Sequence, residues 1–297
     1  MNVEWGGAIA LDFFFGGIAA GAFILSGIMH YFYKDKAEHL IRVAAYTSAC
    51  CMLAAILVLF LHLGRPWLAF WVFLKFNPSS AVAWNTVIQT AFLVISILYA
   101  LSYVSKEFAE KYPFLKSLNT KMIRTRLREF GAPFAVLLGV NHGFLLMTYE
   151  AVPLWNQGAI ILMAVAAAVI TGMAAVFLYL STQSDFQEHL PQLNYARAIL
   201  TWTLVAQMFN IILWIASLLN GITPHYMAAL ELLSGEIIGF WGIGVIIGLV
   251  IPLTFALRDG LHYKKTGELR YSYATMNAAF MLAGGFYLRY VIMTAAQ

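Results

Sequence analysis

Seven side chains are polar where the chain around them is not: Asp12, His62, Arg65, Asn141, His142, Glu236 and Arg289. An ionisable group at the centre of a hydrocarbon layer costs about 2.5–3.5 kcal/mol on insertion scales, so such groups tend to mark a pathway or a site. The set has a definite chemistry. A carboxylate and an imidazole together can hold and pass protons near neutral pH. An amide donates a hydrogen bond, and guanidinium groups pair with carboxylates or shape a pocket. A quinone needs such a set: its ring is flat and apolar, and its two carbonyl oxygens require donors and proton-exchanging groups during two-electron chemistry. On this reading Asp12 and His142 handle protons, Asn141 donates a hydrogen bond, and Arg65, Arg289, His62 and Glu236 complete the pocket. Each has a plainer reading beside it. Asp12 and Glu236 can be first-turn carboxylates favoured by the helix dipole. Arg289 can snorkel to headgroups, and His62 and Arg65 sit near an interface where charge costs little. His142 lies deepest, and neither a cap nor snorkelling accounts for it.

The elements that position these groups follow from composition. Of 297 residues, 62% are hydrophobic and 11% charged, which leaves too little polar surface for a soluble globule. A bilayer crossing takes roughly 20 apolar residues, and the sequence predicts eight such helices: 8–33, 41–63, 82–105, 130–150, 157–182, 196–219, 236–257 and 274–294. Lys and Arg between the spans divide fifteen to three, with only Arg65, Lys75 and Arg289 on the poorer side. Positive charge stays cytoplasmic, so both termini are expected outside, and the net charge of +4 reflects topology and not nucleic-acid binding. Met1–Gly7 carries Glu4 and no basic residue, so the first span is expected to remain as a helix and not to be cleaved as a signal. In this frame all seven polar groups lie toward the outer side, as one pocket. Gly17 with Gly21, and Gly244 with Gly248, sit four apart and predict close helix packing in lipid.

Other chemistries find less support. Cys50 and Cys51 are adjacent within the second span, which suits neither a disulfide framework nor a C-x-x-C ligand set; they are expected to be small core residues. A membrane haem needs two His at matching depth, and His30, His62 and His142 offer no such pair. No grouped ligands suggest a metal, and no phosphate-binding loop appears. An alternative of a different class is a proton-conducting or transport protein, with Tyr46, Thr47, Ser48, Tyr179, Gln207 and Asn210 along a path from the cytoplasm. These polar residues serve equally as interhelical hydrogen-bonding groups.

The connection GRPWLAFWVFLKFNPSSAVA from Gly64 to Ala83 is rich in aromatics suited to a membrane interface. With its neighbours it carries a resemblance. The opening LDFFFGGIAAGAFILSG, the exit LHLGRPWLAFW followed by NPSSAVAW, the segment GVNHGFLLMTYEAVPLW and the closing AGGFYLRYVI are similar to segments of the polysulfide reductase membrane-anchor (NrfD-like) family. The resemblance covers nearly the whole chain. It implies an all-α membrane protein built as two four-helix bundles, over 1–150 and 151–297, in the cytoplasmic membrane of a prokaryote. It also implies a quinone-reactive subunit, using menaquinone or ubiquinone, with no haem or metal of its own. Its partners would be membrane lipid, an iron-sulfur subunit docked on the outer face, and a further catalytic subunit, a molybdenum enzyme or a multihaem cytochrome. By this similarity Asp12 takes the polar position of the first helix and Asn141 or His142 that of the fourth. His62 stands where relatives carry an acidic residue before L-G-R-P.

Overall fold

The stretch from Gly7 to Tyr33 offers no polar face, the pattern of a helix surrounded by other helices and lipid. Its centre is a run of small residues, Gly16, Gly17, Ala19, Ala20, Gly21 and Ala22, which allows neighbours to approach its backbone. In the computed structural model, which describes residues 6–183, 189–234 and 237–294, this stretch is α1 (Gly7–Tyr33), 27 residues long and so about 40 Å from end to end.

The remaining helices are α2 (Glu38–His62), short α3 (Trp71–Leu74), α4 (Ala81–Leu101), short α5 (Lys106–Ala109) and α6 (Pro113–Leu118), α7 (Lys121–Met147), α8 (Ala159–Leu180), α9 (Leu190–Leu219), α10 (Thr223–Ser234), α11 (Ile251–Thr266) and α12 (Tyr271–Thr294). A π-wound segment, Ile237–Val250, runs directly into α11. No strand occurs among the described residues. Among the described residues, seven continuous helical stretches are long and apolar enough to cross a membrane. The first of them, Gly7–His62, is 56 residues long and is turned by the 3-10 segment Lys34–Ala37 into α1 and α2, which pack on each other.

Helix α1 is central. It packs on α2, α7, α8 and α12, while α4 lies on α2 and α7, α8 lies on α9 and α12, and α11 lies on α9 and α12. The small residues set these distances, because helices in lipid gain by close backbone packing. A Cβ built on Gly21 would fall 2.0 Å from the Ala168 carbonyl oxygen, and one on Gly172 2.4 Å from the Gly21 carbonyl carbon, so α1 and α8 meet backbone to backbone. Gly248 meets Gly284 of α12 in the same way, with a Cβ on Gly284 only 2.1 Å from Gly248 Cα. Gly17 and Gly244, the other members of the two expected pairs, face side chains instead, Arg289 and Leu288. Gly7 of α1 lies beside Tyr290 of α12, so the two described ends come to the same end of the molecule.

Three local differences from the sequence reading have physical causes. Helix α7 begins at Lys121, nine residues before the apolar run expected at 130. Thr120 caps it by accepting a hydrogen bond from the Ile123 N–H at 3.3 Å, and its basic first turns find acidic partners in Asp35 and Glu38. The connection after α9 forms α10, which buries Ala229 and Leu232. Cys50 and Cys51, expected as core residues, are not both buried: Cys50 points outward and Cys51 is half-buried.

Candidate functional site

Asp12 is 1% exposed, one and a half turns into α1. An isolated carboxylate in such a place is costly, and its partner comes from α4: the Gln89 amide nitrogen donates to both carboxylate oxygens, at 3.3 Å and 3.2 Å. Gln89 is itself buried, and its Oε1 has no partner among the described residues. One turn earlier on the same face of α4, Asn85 accepts a hydrogen bond from Asn141 of α7 at 2.6 Å. Asp12, Gln89, Asn85 and Asn141 therefore form a polar set between α1, α4 and α7.

His142 follows Asn141 directly, and the helical step of about 100° per residue sends it elsewhere. Its ring stacks on Phe13 of α1, with centroids 4.4 Å apart and planes 9° from parallel. It lies against Gly16, where a Cβ would be 2.8 Å from Cε1. His142 Nε2 is buried and has no hydrogen-bond partner among the described residues. Arg289 of α12 reaches the adjoining position on α1. Its Nη1 donates to the Gly285 carbonyl at 2.9 Å, its Nη2 lies 2.7 Å from where a Cβ of Gly17 would fall, and its guanidinium lies 5.7 Å from the Phe14 ring centre. His142, Arg289 and the buried Gln207 of α9 line one cavity of about 40 Å³, otherwise walled by apolar side chains that include Phe13, Met163, Leu288 and Met293.

Among the described residues no hydrogen bond links these two sets, although Phe13 and Gly16, which meet His142, lie within about 100° of Asp12 around α1. Asp12 and Asn141 hydrogen-bond to residues of α4, whereas His142 of α7 and Arg289 of α12 line the cavity with residues of α8 and α9. Asp12 does not orient His142 through a hydrogen bond. His62 and Arg65 are exposed at and just beyond the end of α2 and make no side-chain hydrogen bond among the described residues. Glu236 lies outside the described residues. Of the residues along the alternative cytoplasmic path, Tyr46 and Tyr179 point outward, Thr47 and Asn210 are half-buried, and Ser48 and Gln207 are buried.

Gln89 and Asn85 are neutral amides, so a reading of the sequence by its ionisable groups passes over them. Their signal is spacing: two amides four apart in an otherwise apolar span must share a helix face. Among the described residues no group of three or more His, Cys, Asp or Glu side chains comes together as a metal site would require.

The polysulphide reductase NrfD family profile matches residues 1–297. The chain belongs to this family. Among curated proteins it is similar to the C subunit of the polysulfide reductase of Wolinella succinogenes, 26% identical over 314 residues that span all of this chain and 95% of that protein. It is 28% identical to the Hdr-like menaquinol oxidoreductase integral membrane subunit of Archaeoglobus fulgidus, over 97% of this chain and 70% of that protein. The NrfD homolog of Haemophilus influenzae is 24% identical over all of this chain and 95% of its own length. For this NrfD-family protein, the matches extend through every element that builds the two polar sets, α1, α4, α7, α9 and α12.

Proposed function

We propose that this protein is the quinone-reactive membrane subunit of a respiratory oxidoreductase complex, and that the cavity beside His142 is where the quinone head binds. The observation that carries this reading is His142 Nε2, a buried ring nitrogen without a partner among the described residues, facing an apolar cavity beside Arg289. A buried polar atom left unpaired costs about 1–3 kcal/mol, and a carbonyl or hydroxyl oxygen of a quinone or quinol would satisfy it. Arg289 and Gln207 supply further polar contacts from two other helices, and the rest of the lining suits an apolar ring. The cavity of about 40 Å³ holds only about three waters at 10–15 Å³ each, so a ring enters as the flexible side chains of Met163 and Met293 give way.

When bound, the quinone supplies two-electron, two-proton redox chemistry. The protein's own part is to bind, orient and exchange protons. His142 holds or releases a proton at Nε2, Arg289 fixes the head from α12, and the Phe13 ring fixes the plane of the imidazole. Asp12, held by Gln89, is the second proton-exchanging group. Asn141, through Asn85, keeps α7 in register with α4 so that His142 faces the cavity.

The arrangement in the membrane is part of the proposal. The 56-residue stretch folded into α1 and α2 makes two crossings, giving eight in all, with both chain ends and the site toward the outer side of a prokaryotic cytoplasmic membrane. The adjacency of Gly7 and Tyr290 supports an even number. The helices group as α1, α2, α4 and α7 and as α8, α9, α11 and α12. Electrons pass to or from an iron-sulfur subunit docked on the outer face, and through it a catalytic subunit that is a molybdenum enzyme or a multihaem cytochrome. The names of the relatives, a C subunit of polysulfide reductase and a menaquinol oxidoreductase membrane subunit, support both a multi-subunit assembly and a quinone partner.

The test is quinol-linked turnover of the assembled complex carrying His142→Ala or Asp12→Asn, with co-purification of the partner subunits as the control for assembly. Turnover should be lost with assembly retained. Full turnover in both variants would sink the assignment.

A further inference from the structure

A second built site lies at the opposite end of α1. There α1 ends at Tyr33, the chain turns through Lys34–Ala37, and α2 begins at Glu38. A cavity of about 80 Å³ opens between this turn and the start of α7, lined by His30, Lys34, Asp35, Glu38, Tyr103, Lys121, Arg124 and Arg128 among others. Four of these are permanent cations and two are carboxylates. Both carboxylates are engaged on the solvent side: Asp35 with Lys121 at 2.8 Å, and Glu38 with Arg124 at 2.8 Å.

Arg128 is different. It is 6% exposed, and two tyrosine hydroxyls fix one edge of its guanidinium: Nε donates to Tyr99 Oη at 3.0 Å and Nη2 to Tyr103 Oη at 3.1 Å. Its Nη1 is buried with no partner among the described residues, and none of the described carboxylates pairs with it. A guanidinium taken out of water is ordinarily paired with an anion. Here the protein supplies the orientation and leaves the anion out. Lys34 adds a second cation without a carboxylate partner among the described residues. Its backbone has φ 49° and ψ −129°, a sparsely populated combination that costs a non-glycine residue about 1–3 kcal/mol, and its side chain lines the cavity.

We propose that this cavity binds a phosphate ester anion, with Arg128 Nη1 as the inner donor and Lys34 as the outer charge. The source we infer is the headgroup of an anionic phospholipid. Helix α1 is about 40 Å long, more than the roughly 30 Å of hydrocarbon it has to cross, so its last turn stands among the headgroups, where lipid phosphates are concentrated. Basic pockets between transmembrane helices take such headgroups. At 10–15 Å³ per water-sized group, the cavity has room for about five or more such groups, enough for a phosphate and its ester oxygens.

The full-length protein, purified in uncharged detergent and stripped of lipid, is titrated with dihexanoyl phosphatidylglycerol below its micelle concentration while thermal unfolding is followed. Dihexanoyl phosphatidylcholine and inorganic phosphate are run in parallel. Phosphatidylglycerol should raise the Tm saturably. Arg128→Gln should weaken binding at least about tenfold, the loss of a hydrogen bond to a charged group, and Lys34→Gln about fivefold. Arg126→Gln, on the opposite face of α7, should bind as the wild type does. If inorganic phosphate saturates the site with the same dependence on Arg128, the phosphate chemistry stands and the source is a soluble ion. No saturable stabilisation, equal stabilisation by phosphatidylcholine, or wild-type binding by both Arg128→Gln and Lys34→Gln overturns the proposal. Should Arg128→Gln fail to fold, the exposed Lys34→Gln decides it.

Discussion

Gly16→Ala is the sharpest test of the cavity beside His142, because it adds one methyl group and removes no chemical function. The new Cβ would lie 2.8 Å from His142 Cε1 and 3.3 Å from Nε2. To regain ordinary van der Waals contact the ring must retreat by at least about 0.6 Å, in an interior packed as densely as an organic crystal. The ring is held face to face with Phe13 at 4.4 Å, so tilting breaks the stack and sliding carries Nε2 into the cavity. Misplacing a catalytic group by about 1 Å can cost 100-fold in rate, so the expected loss in quinol-linked turnover is about tenfold to 100-fold. The assay is steady-state quinol oxidation or quinone reduction by the assembled complex, with co-purification as the control. Gly17→Ala is the companion variant. Its Cβ meets Arg289 Nη2 at 2.7 Å, the far end of a long flexible side chain that can swing aside, so its loss should be several-fold smaller. Turnover in Gly16→Ala equal to wild type, with His142→Ala inactive, would refute the claim that the position of the ring matters.

Two further substitutions probe the frame. Gly21→Ala puts a Cβ 2.0 Å from a backbone oxygen of α8, which no rotamer can relieve; helices α1 and α8 must separate, at a cost of about 1–3 kcal/mol, read as a lower Tm in detergent. A Tm equal to that of the wild type would show that this contact does not limit packing. Gln89→Leu removes both amide hydrogen bonds to Asp12 and should destabilise by about 1–3 kcal/mol; in the double variant with Asp12→Asn the losses should fall short of additive by at least about 0.5 kcal/mol. Strict additivity of the unfolding free energies would mean that the two side chains do not act as a pair.

Much of the scaffold was legible because lipid makes simple demands. Apolar runs of bilayer length marked the long helices, and the glycine pairs marked where they touch: Gly21 and Gly248 are both at backbone contacts. Helix ends were less legible. The start of α7 lies in a basic stretch that reads as a loop by hydropathy, and its residues find partners only in the tertiary fold: Asp35 pairs with the exposed Lys121, Glu38 with Arg124, and Tyr99 and Tyr103 hold Arg128 inward. Arg128 counted in the sequence as one more cytoplasmic charge. Its burial depends on two tyrosines from α4 and the segment just beyond it, 29 and 25 residues away along the sequence, which no local pattern reveals.

The candidate site shows the same division between what a one-dimensional pattern carries and what it does not. Distance from a helix end gives depth, and by depth Asp12, Asn141, His142 and Arg289 belong together. Azimuth comes only from knowing which helix stands on which side. Asn141 and His142 are neighbours in sequence, yet one donates to Asn85 on α4 and the other stacks on Phe13 and lines the cavity against α8 and α12. What joins the two halves is α1 itself. Asp12, Phe13, Gly16 and Gly17 fall within two turns, and their directions around that helix send the carboxylate to α4, the aromatic face to His142, and an open backbone to His142 and Arg289. A larger residue at Gly16 would displace the imidazole without touching Asp12. A change at Gln89 would disturb Asp12 without touching the imidazole. The two halves can therefore be perturbed separately, and whether turnover needs both is decided by comparing Gly16→Ala with Gln89→Leu in the same assembled complex.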